Sequence, residues 1–175
     1  MVQNILHIVL SMGYGGLEKF VYNFIRNLDP NQFKISLCCL DRGGPVLDLI
    51  KTKIDIKTYI LDRKPGKLDI HTLATLSQIV RKENIDVIHA HSGTFLYAAI
   101  AGKMGKARKT IYSDHGRLKP DRIGARIEDS VFSYITSQYV SVSPELTAYL
   151  KKTMWVRRNK IRTIVNGIDT NSVNC

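Results

Sequence analysis

With 175 residues, 44% of them hydrophobic and 23% charged, the chain is long enough for one full core and has the balance of a globular domain. Its apolar runs are far shorter than a bilayer-spanning helix, which excludes the membrane-spanning class along with the disordered one. The net charge of +11 is uneven: residues 1–100 carry 12 Lys and Arg against 9 Asp and Glu, and residues 101–175 carry 14 against 6, a bias that asks for an anionic partner such as phosphate groups, an acidic membrane surface or nucleic acid.

The apolar run Ile5–Leu10 predicts a first strand. Gly13, Gly15 and Gly16 make a turn, and Leu17, Phe20, Val21, Phe24, Ile25 and Leu28 then recur at helical spacing. Residues 33–40 predict a second strand, in which Cys38 and Cys39 point to opposite faces; with Cys175 they form no metal-ligand spacing. After the turn 41–44 a short helix starts at Pro45, residues 56–61 give a third strand, and 63–67 form a basic loop. A helix over 68–83, with Leu73, Leu76 and Val80 inward, leads to a short strand at 86–90 and the turn 91–94. The small and apolar residues 95–104 predict a close-packed helix, 109–113 a fifth strand and 114–120 a loop. Ile123, Ile127, Val131 and Ile135 mark the next helix, 139–142 a sixth strand, Ser143 and Pro144 a capped helix start, and 161–165 a seventh strand.

Strand and helix alternate throughout, so the fold class is α/β: a Rossmann-like, doubly wound, mostly parallel sheet of about seven strands with helices on both faces. Ligands of such sheets bind beyond the carboxyl ends of the strands, where the strand order reverses. The loops at 11–16, 41–44, 91–94 and 114–120 all follow strands and are expected to converge there. The glycine turn opens a helix, whose first-turn N–H groups suit a phosphate. A dinucleotide fingerprint starting at Gly13 would need its third glycine at position 18, where Glu18 stands, so a dinucleotide-binding domain is the weaker reading. Glu18 itself is read as capping the helix or supporting the loop.

Five motifs in order, Gly15-Gly16-Leu17-Glu18, Val87-Ile88-His89-Ala90-His91, Asp114-His115-Gly116, Val140-Ser141-Val142-Ser143 and Ile164-Val165-Asn166-Gly167-Ile168-Asp169, give the chain its character. Together they resemble the amino-terminal half of a family 4, GT-B fold glycosyltransferase, over essentially the whole length. The basic loop at Lys64-Pro65-Gly66-Lys67 is similar to one in the branch that assembles bacterial surface polysaccharides. The resemblance implies an acceptor-side domain over residues 1–165, with 166–175 starting the crossing to an absent carboxyl-terminal domain that holds the nucleotide-sugar. It further implies sugar transfer with retention, without metal and with no cofactor beyond the nucleotide-sugar donor. The acceptor would be a glycan or a lipid-linked sugar in surface polysaccharide or glycolipid synthesis.

In that frame Gly15 and Gly16 approach the donor diphosphate, and His115, at the end of the fifth strand, stands beside the transferred sugar as the catalytic candidate. His91 is expected to line the acceptor cleft. Lys64, Lys67, Arg117 and Lys119, with Arg63 and Arg122, are expected to grip an acceptor diphosphate. His89 is read as packed in its strand, while His7 and His71 offer no case. Lys151, Lys152, Trp155, Arg157 and Arg158 form a basic patch with an aromatic anchor, suited to an anionic membrane surface. The expected location is the cytoplasm, peripheral at the inner face of the membrane. The basic and acidic residues with which the family binds the nucleotide-sugar have no counterpart here, so this chain alone is expected to be inactive, as a fragment or as one subunit of a split transferase. A non-catalytic module for an anionic ligand is the alternative. Nucleic acid is set aside for want of a recognition helix or a stacking platform.

Overall fold

The structure, a computed structural model, describes residues 2–64, 66, 68–116, 123–153 and 158–167. In chain order it contains β1 (Gln3–Ser11), α1 (Gly16–Arg26), β2 (Phe33–Arg42), α2 (Pro45–Lys53), β3 (Lys57–Ile60), α3 (Ile70–Lys82), β4 (Val87–His91), α4 (Phe95–Gly105), β5 (Lys109–Asp114), α5 (Ile123–Ile135), β6 (Gln138–Ser141), α6 (Pro144–Thr153) and β7 (Ile161–Thr163). The strands form one sheet in the order β3-β2-β1-β4-β5-β6-β7, every neighbouring pair parallel. The order reverses between β1 and β4, which makes the crevice above their carboxyl ends the binding edge of the doubly wound fold.

Alternation along each strand assigns the two faces. Leu6 and Ile8 of β1, Cys38 and Leu40 of β2, Ile88 and Ala90 of β4, and Tyr112 of β5 join Leu73, Leu76 and Val80 of α3, Ala98 and Ala101 of α4, and Leu146 and Leu150 of α6 in one core. The opposite positions Val9, Leu37 and Cys39 pack on Val21 and Ile25 of α1 and Leu47 and Ile50 of α2. The adjacent cysteines therefore lie in different cores, where burial pushes both thiols up, Cys39 to about 12. The small residues of α4 allow a close approach: a Cβ on Gly102 would strike the Thr110 hydroxyl, and one on Gly105 the Val80 side chain.

The two faces are not equally covered. Right-handed crossovers put α1 and α2 on one side of β1–β3, and α3 to α6 on the other. On the α1 side, the positions Val87, His89, Ile111, Ser113, Gln138 and Val140 of β4, β5 and β6 help to line a cavity of about 330 Å³.

One helix turns its apolar residues away from the core. Ile123, Ile127, Val131 and Ile135 do mark a helix, α5, but they point outward, while Asp129, Ser130 and Ser133 are buried beneath it. Hydroxyls satisfy themselves on the helix's own carbonyls, Ser130 Oγ donating to the Arg126 oxygen at 2.6 Å and Ser133 Oγ to the Ser130 oxygen at 2.6 Å, so these small side chains can be buried.

Candidate active site

Parallel strands bring the predicted loops to one edge. The Met12 N–H donates to the Gly43 carbonyl at 3.4 Å and the Val46 N–H to the Met12 carbonyl at 3.1 Å, joining the turns after β1 and β2. The His115 N–H donates to Ser92 Oγ at 2.8 Å, joining those after β4 and β5.

Gly15 is the residue before α1, extended and without a side-chain cap. The first-turn N–H groups of α1 have no intrahelical acceptors and face the crevice with partial positive charge. Around Gly13 and Gly16 nothing lies within 4 Å of where a Cβ would stand, whereas at Gly15 that space is taken by the Glu18 carboxylate folded back over the turn. Tyr14, between two of the glycines, is almost fully exposed.

Across the crevice, the carboxylate of buried Asp114 accepts from the Gly116 N–H at 3.1 Å and from the Tyr139 hydroxyl at 3.1 Å, which fixes the turn carrying His115. The His115 ring is half-buried. Its Nε2 lies 3.0 Å from His91 Nδ1, its Nδ1 lies 3.3 Å from Asn166 Nδ2, and Phe20 of α1 packs on it with ring centroids 4.9 Å apart. His91 Nε2 in turn meets His7 Nδ1 at 3.2 Å. His89 Nε2 meets Ser113 Oγ at 2.8 Å.

Three imidazoles thus form a chain from the core to the crevice, made by the sheet register that sets His7 of β1 beside His89 of β4. Nitrogens of His7, His89 and His91 lie within 4.8 Å of one another, a spacing compatible with a metal ion. The bonding of His7 and His91 is of another kind. Their planes differ by 14°, and the centroid separation of 5.5 Å is close to the 3.2 Å contact plus a ring radius at each end. The two nitrogens face each other edge to edge at hydrogen-bond distance. A neutral imidazole that donates from one nitrogen accepts at the other, so the chain has one polarity as a unit. His7 Nε2, at its inner end, is buried without a hydrogen-bond partner.

Burial, reinforced by neighbouring imidazoles, holds His7 and His91 well below the ordinary 6.5, and it brings His89 to about 4. Burial also lowers His115, against the pull of Asp114. Burial thus favours the neutral form of these imidazoles.

Other expected site residues are placed differently. His91 has no exposed surface, so in this structure its partners are His7 and His115 and it does not line a cleft. His89, read as packed in its strand, borders the cavity beside Phe24. Lys64 is exposed near the carboxyl end of β3. Arg63 is not free: its Nε donates to Asp41 at 2.7 Å and its guanidinium lies 4.9 Å from the Tyr97 ring centroid. Asp41, where a ribose-binding acid would stand in a dinucleotide site, is thereby engaged. Lys67, Arg117, Lys119, Arg122, Trp155 and Arg157 lie outside the described residues. Sequence reasoning passed over His7, Phe20, Ser92 and Asn166. Two inward histidines on strands that neighbour each other in a doubly wound order were the available signal for His7.

A family model described as Glycosyltransferase Family 4 matches residues 14–172. A curated relative, the UDP-Gal:alpha-D-GlcNAc-diphosphoundecaprenol alpha-1,3-galactosyltransferase of Escherichia coli, is 23% identical over 94% of this chain and 45% of its own length. HepE of Anabaena, crystallised with UDP and glucose, superposes with a TM-score of 0.76 at 18% identity over 97% of this chain and 46% of its own. A glycosyltransferase of Rickettsia africae superposes with a TM-score of 0.77 at 18% identity over 97% and 44%. The chain spans somewhat less than half the length of each of these relatives. With a match over nearly all of its residues and the glycine turn and His115 at the binding edge of its sheet, the chain belongs to Glycosyltransferase Family 4.

Proposed function

We propose that this chain is the acceptor-side half of a retaining, metal-independent glycosyltransferase, which moves a sugar from a nucleotide-sugar to a lipid-linked acceptor in glycan synthesis. The observation that carries the reading is the pairing, at one sheet edge, of an open glycine turn at the N-terminus of α1 with an imidazole held from behind. Phe20, one turn into α1, packs on His115 and ties the two together.

In this reading the donor diphosphate lies against Gly15 and Gly16, with open space at Gly16 and the Glu18 carboxylate swung away from Gly15, and the α1 N-terminus stabilises the charge that grows on the leaving phosphate. His115, neutral and oriented by His91, hydrogen-bonds the sugar or a phosphate oxygen near the bond that breaks. His91 acts through His115 and is a positioning residue. Lys64, Lys67, Arg117 and Lys119 supply cations to the diphosphate of the acceptor. Nucleotide binding belongs to a second half, contributed by a longer chain or by a partner subunit. The lipid-linked acceptor is suggested by the diphosphoundecaprenol substrate named for the Escherichia coli relative. A membrane-associated, cytoplasmic-face location would follow from it.

The test is to unite the chain with its nucleotide-binding half, by extending the reading frame or by co-expression. The product is then assayed with UDP-sugars and polyprenyl diphosphate-linked N-acetylglucosamine, with and without a chelator. Transfer with an α-linkage, unaffected by chelator, is expected. A folded two-half protein that transfers from no nucleotide-sugar, yet retains an anionic glycolipid, would instead make this domain a binding module.

A further inference from the structure

Helix α5 carries its apolar residues on the outside. Ile123, Ile127, Val131, Tyr134 and Ile135 are 74%, 47%, 56%, 57% and 45% exposed, and their spacing puts them on one stripe. A stripe of this kind on a soluble domain marks an interaction surface. The helix has 13 residues, so the stripe is about 20 Å long. It is too short to span a bilayer and long enough to lie in one.

The surroundings say what covers it. Arg126 of α5 donates from Nε to the Thr153 carbonyl at 2.9 Å, which brings the end of α6, with exposed Lys151 and Lys152, beside the middle of the stripe. The Lys160 ammonium donates to the carbonyls of Ser133, Tyr134 and Thr136 at 2.7, 3.0 and 2.6 Å, which brings exposed Arg158 to its far end. Arg117, Lys119 and Arg122 precede the helix in sequence. The apolar stripe and the exposed cations Lys151, Lys152 and Arg158, separate in sequence, are therefore one surface. Glu128 is the acidic side chain on the exposed part of α5 among the described residues, and burial pushes its carboxyl up, toward the neutral form. A second copy of the chain would bring like charges together around the stripe, whereas an anionic lipid surface meets both the apolar residues and the cations.

We propose that α5 is a membrane-docking helix, lying in the interface of an anionic bilayer with Ile123, Ile127 and Val131 among the acyl chains, Tyr134 at headgroup level, and Lys151, Lys152 and Arg158 on the headgroup phosphates. The surface adds to the transferase reading a means of reaching a lipid-linked substrate, and it stands without that reading because it requires no catalysis.

Flotation of this chain with vesicles tests it. Binding to vesicles of equal phosphatidylglycerol and phosphatidylcholine is expected to exceed binding to pure phosphatidylcholine by about tenfold or more, and to weaken in high salt. The I127D/V131D variant, altered only at exposed positions, is expected to keep its thermal midpoint and lose about tenfold in binding to the mixed vesicles. A K151A/K152A variant is a second arm, expected to lose affinity for the mixed vesicles only. Absence of flotation, equal flotation of I127D/V131D and the parent, or a dimer in sedimentation velocity that the same variant dissolves, would each overturn the proposal. Transfer assays on the united enzyme in detergent solution report separately on the site, so loss of docking and loss of catalysis are distinguishable.

Discussion

Two glycine turns leave neighbouring strands at the same sheet edge, and they serve opposite ends. After β2, Gly44 has φ +147°, and a Cβ there would stand 2.5 Å from the Met12 carbonyl oxygen. That glycine is occupied by the protein's own backbone, because the Val46 N–H must reach the same carbonyl to start α2. After β1, a Cβ on Gly16 would meet nothing within 4 Å. Nothing among the described residues fills that room. Glycine in a strand-to-helix turn is therefore not in itself a sign of a ligand; the sign is glycine where the fold has no need of it.

The sharpest way to break this contrast is a pair of substitutions read for both stability and transfer. Gly44→Val combines a disfavoured φ with a backbone clash and is expected to cost about 3 kcal/mol or more, seen as a large fall in the thermal midpoint. Gly16→Leu is expected to leave stability within about 0.5 kcal/mol while reducing transfer by the united enzyme about a hundredfold. If Gly16→Leu retains full transfer, the donor diphosphate does not lie there.

A third test turns to the imidazoles at the same edge. His7, His89 and His91 bind protons less readily folded than unfolded, His89 titrating at about 4 against an ordinary 6.5. The unfolded chain therefore takes up more protons between those values, and stability is present above pH 6.5 and lost as pH falls toward 4. Thermal midpoints measured from pH 7.5 down to pH 5 should decline, and His89→Gln should flatten that decline. An unchanged slope would mean that the cluster is not buried neutral. Smaller effects complete the series. Gly15→Ala presses only on the movable Glu18 carboxylate and should cost under about 1 kcal/mol in a melting experiment. Lys64→Ala should leave stability within about 0.5 kcal/mol and raise the KM for an anionic acceptor severalfold without changing kcat.

Much of this was legible in the sequence. The alternation of apolar runs with helical spacing gives the seven strands and six helices of the described residues in order, with ends that coincide or shift by at most two residues, because burial and not local preference decides where a strand stops pairing. The α/β class and the binding edge follow from that alternation through the handedness of crossovers. The position of the glycine turn and His115 at that edge also follows from the sequence, since a loop that follows a parallel strand has nowhere else to go.

Other properties depended on which strands are neighbours and on what each surface faces. His7 offered no role while its neighbour was unknown; the register of β1 against β4 puts it in a chain with His91 and His115. His91 looked like a ligand residue because it ends a strand, and became a buried support because Phe20 and His115 close over it. The apolar period of α5 predicts a helix whichever side it turns. Periodicity encodes that a stripe exists, and only the packing of Ser130 and Ser133 against the rest of the protein decides that it faces out. Likewise the open glycine at 16 and the filled one at 44 are the same letter in the sequence. The difference between them lies in the neighbouring strand, whose carbonyl reaches one and not the other.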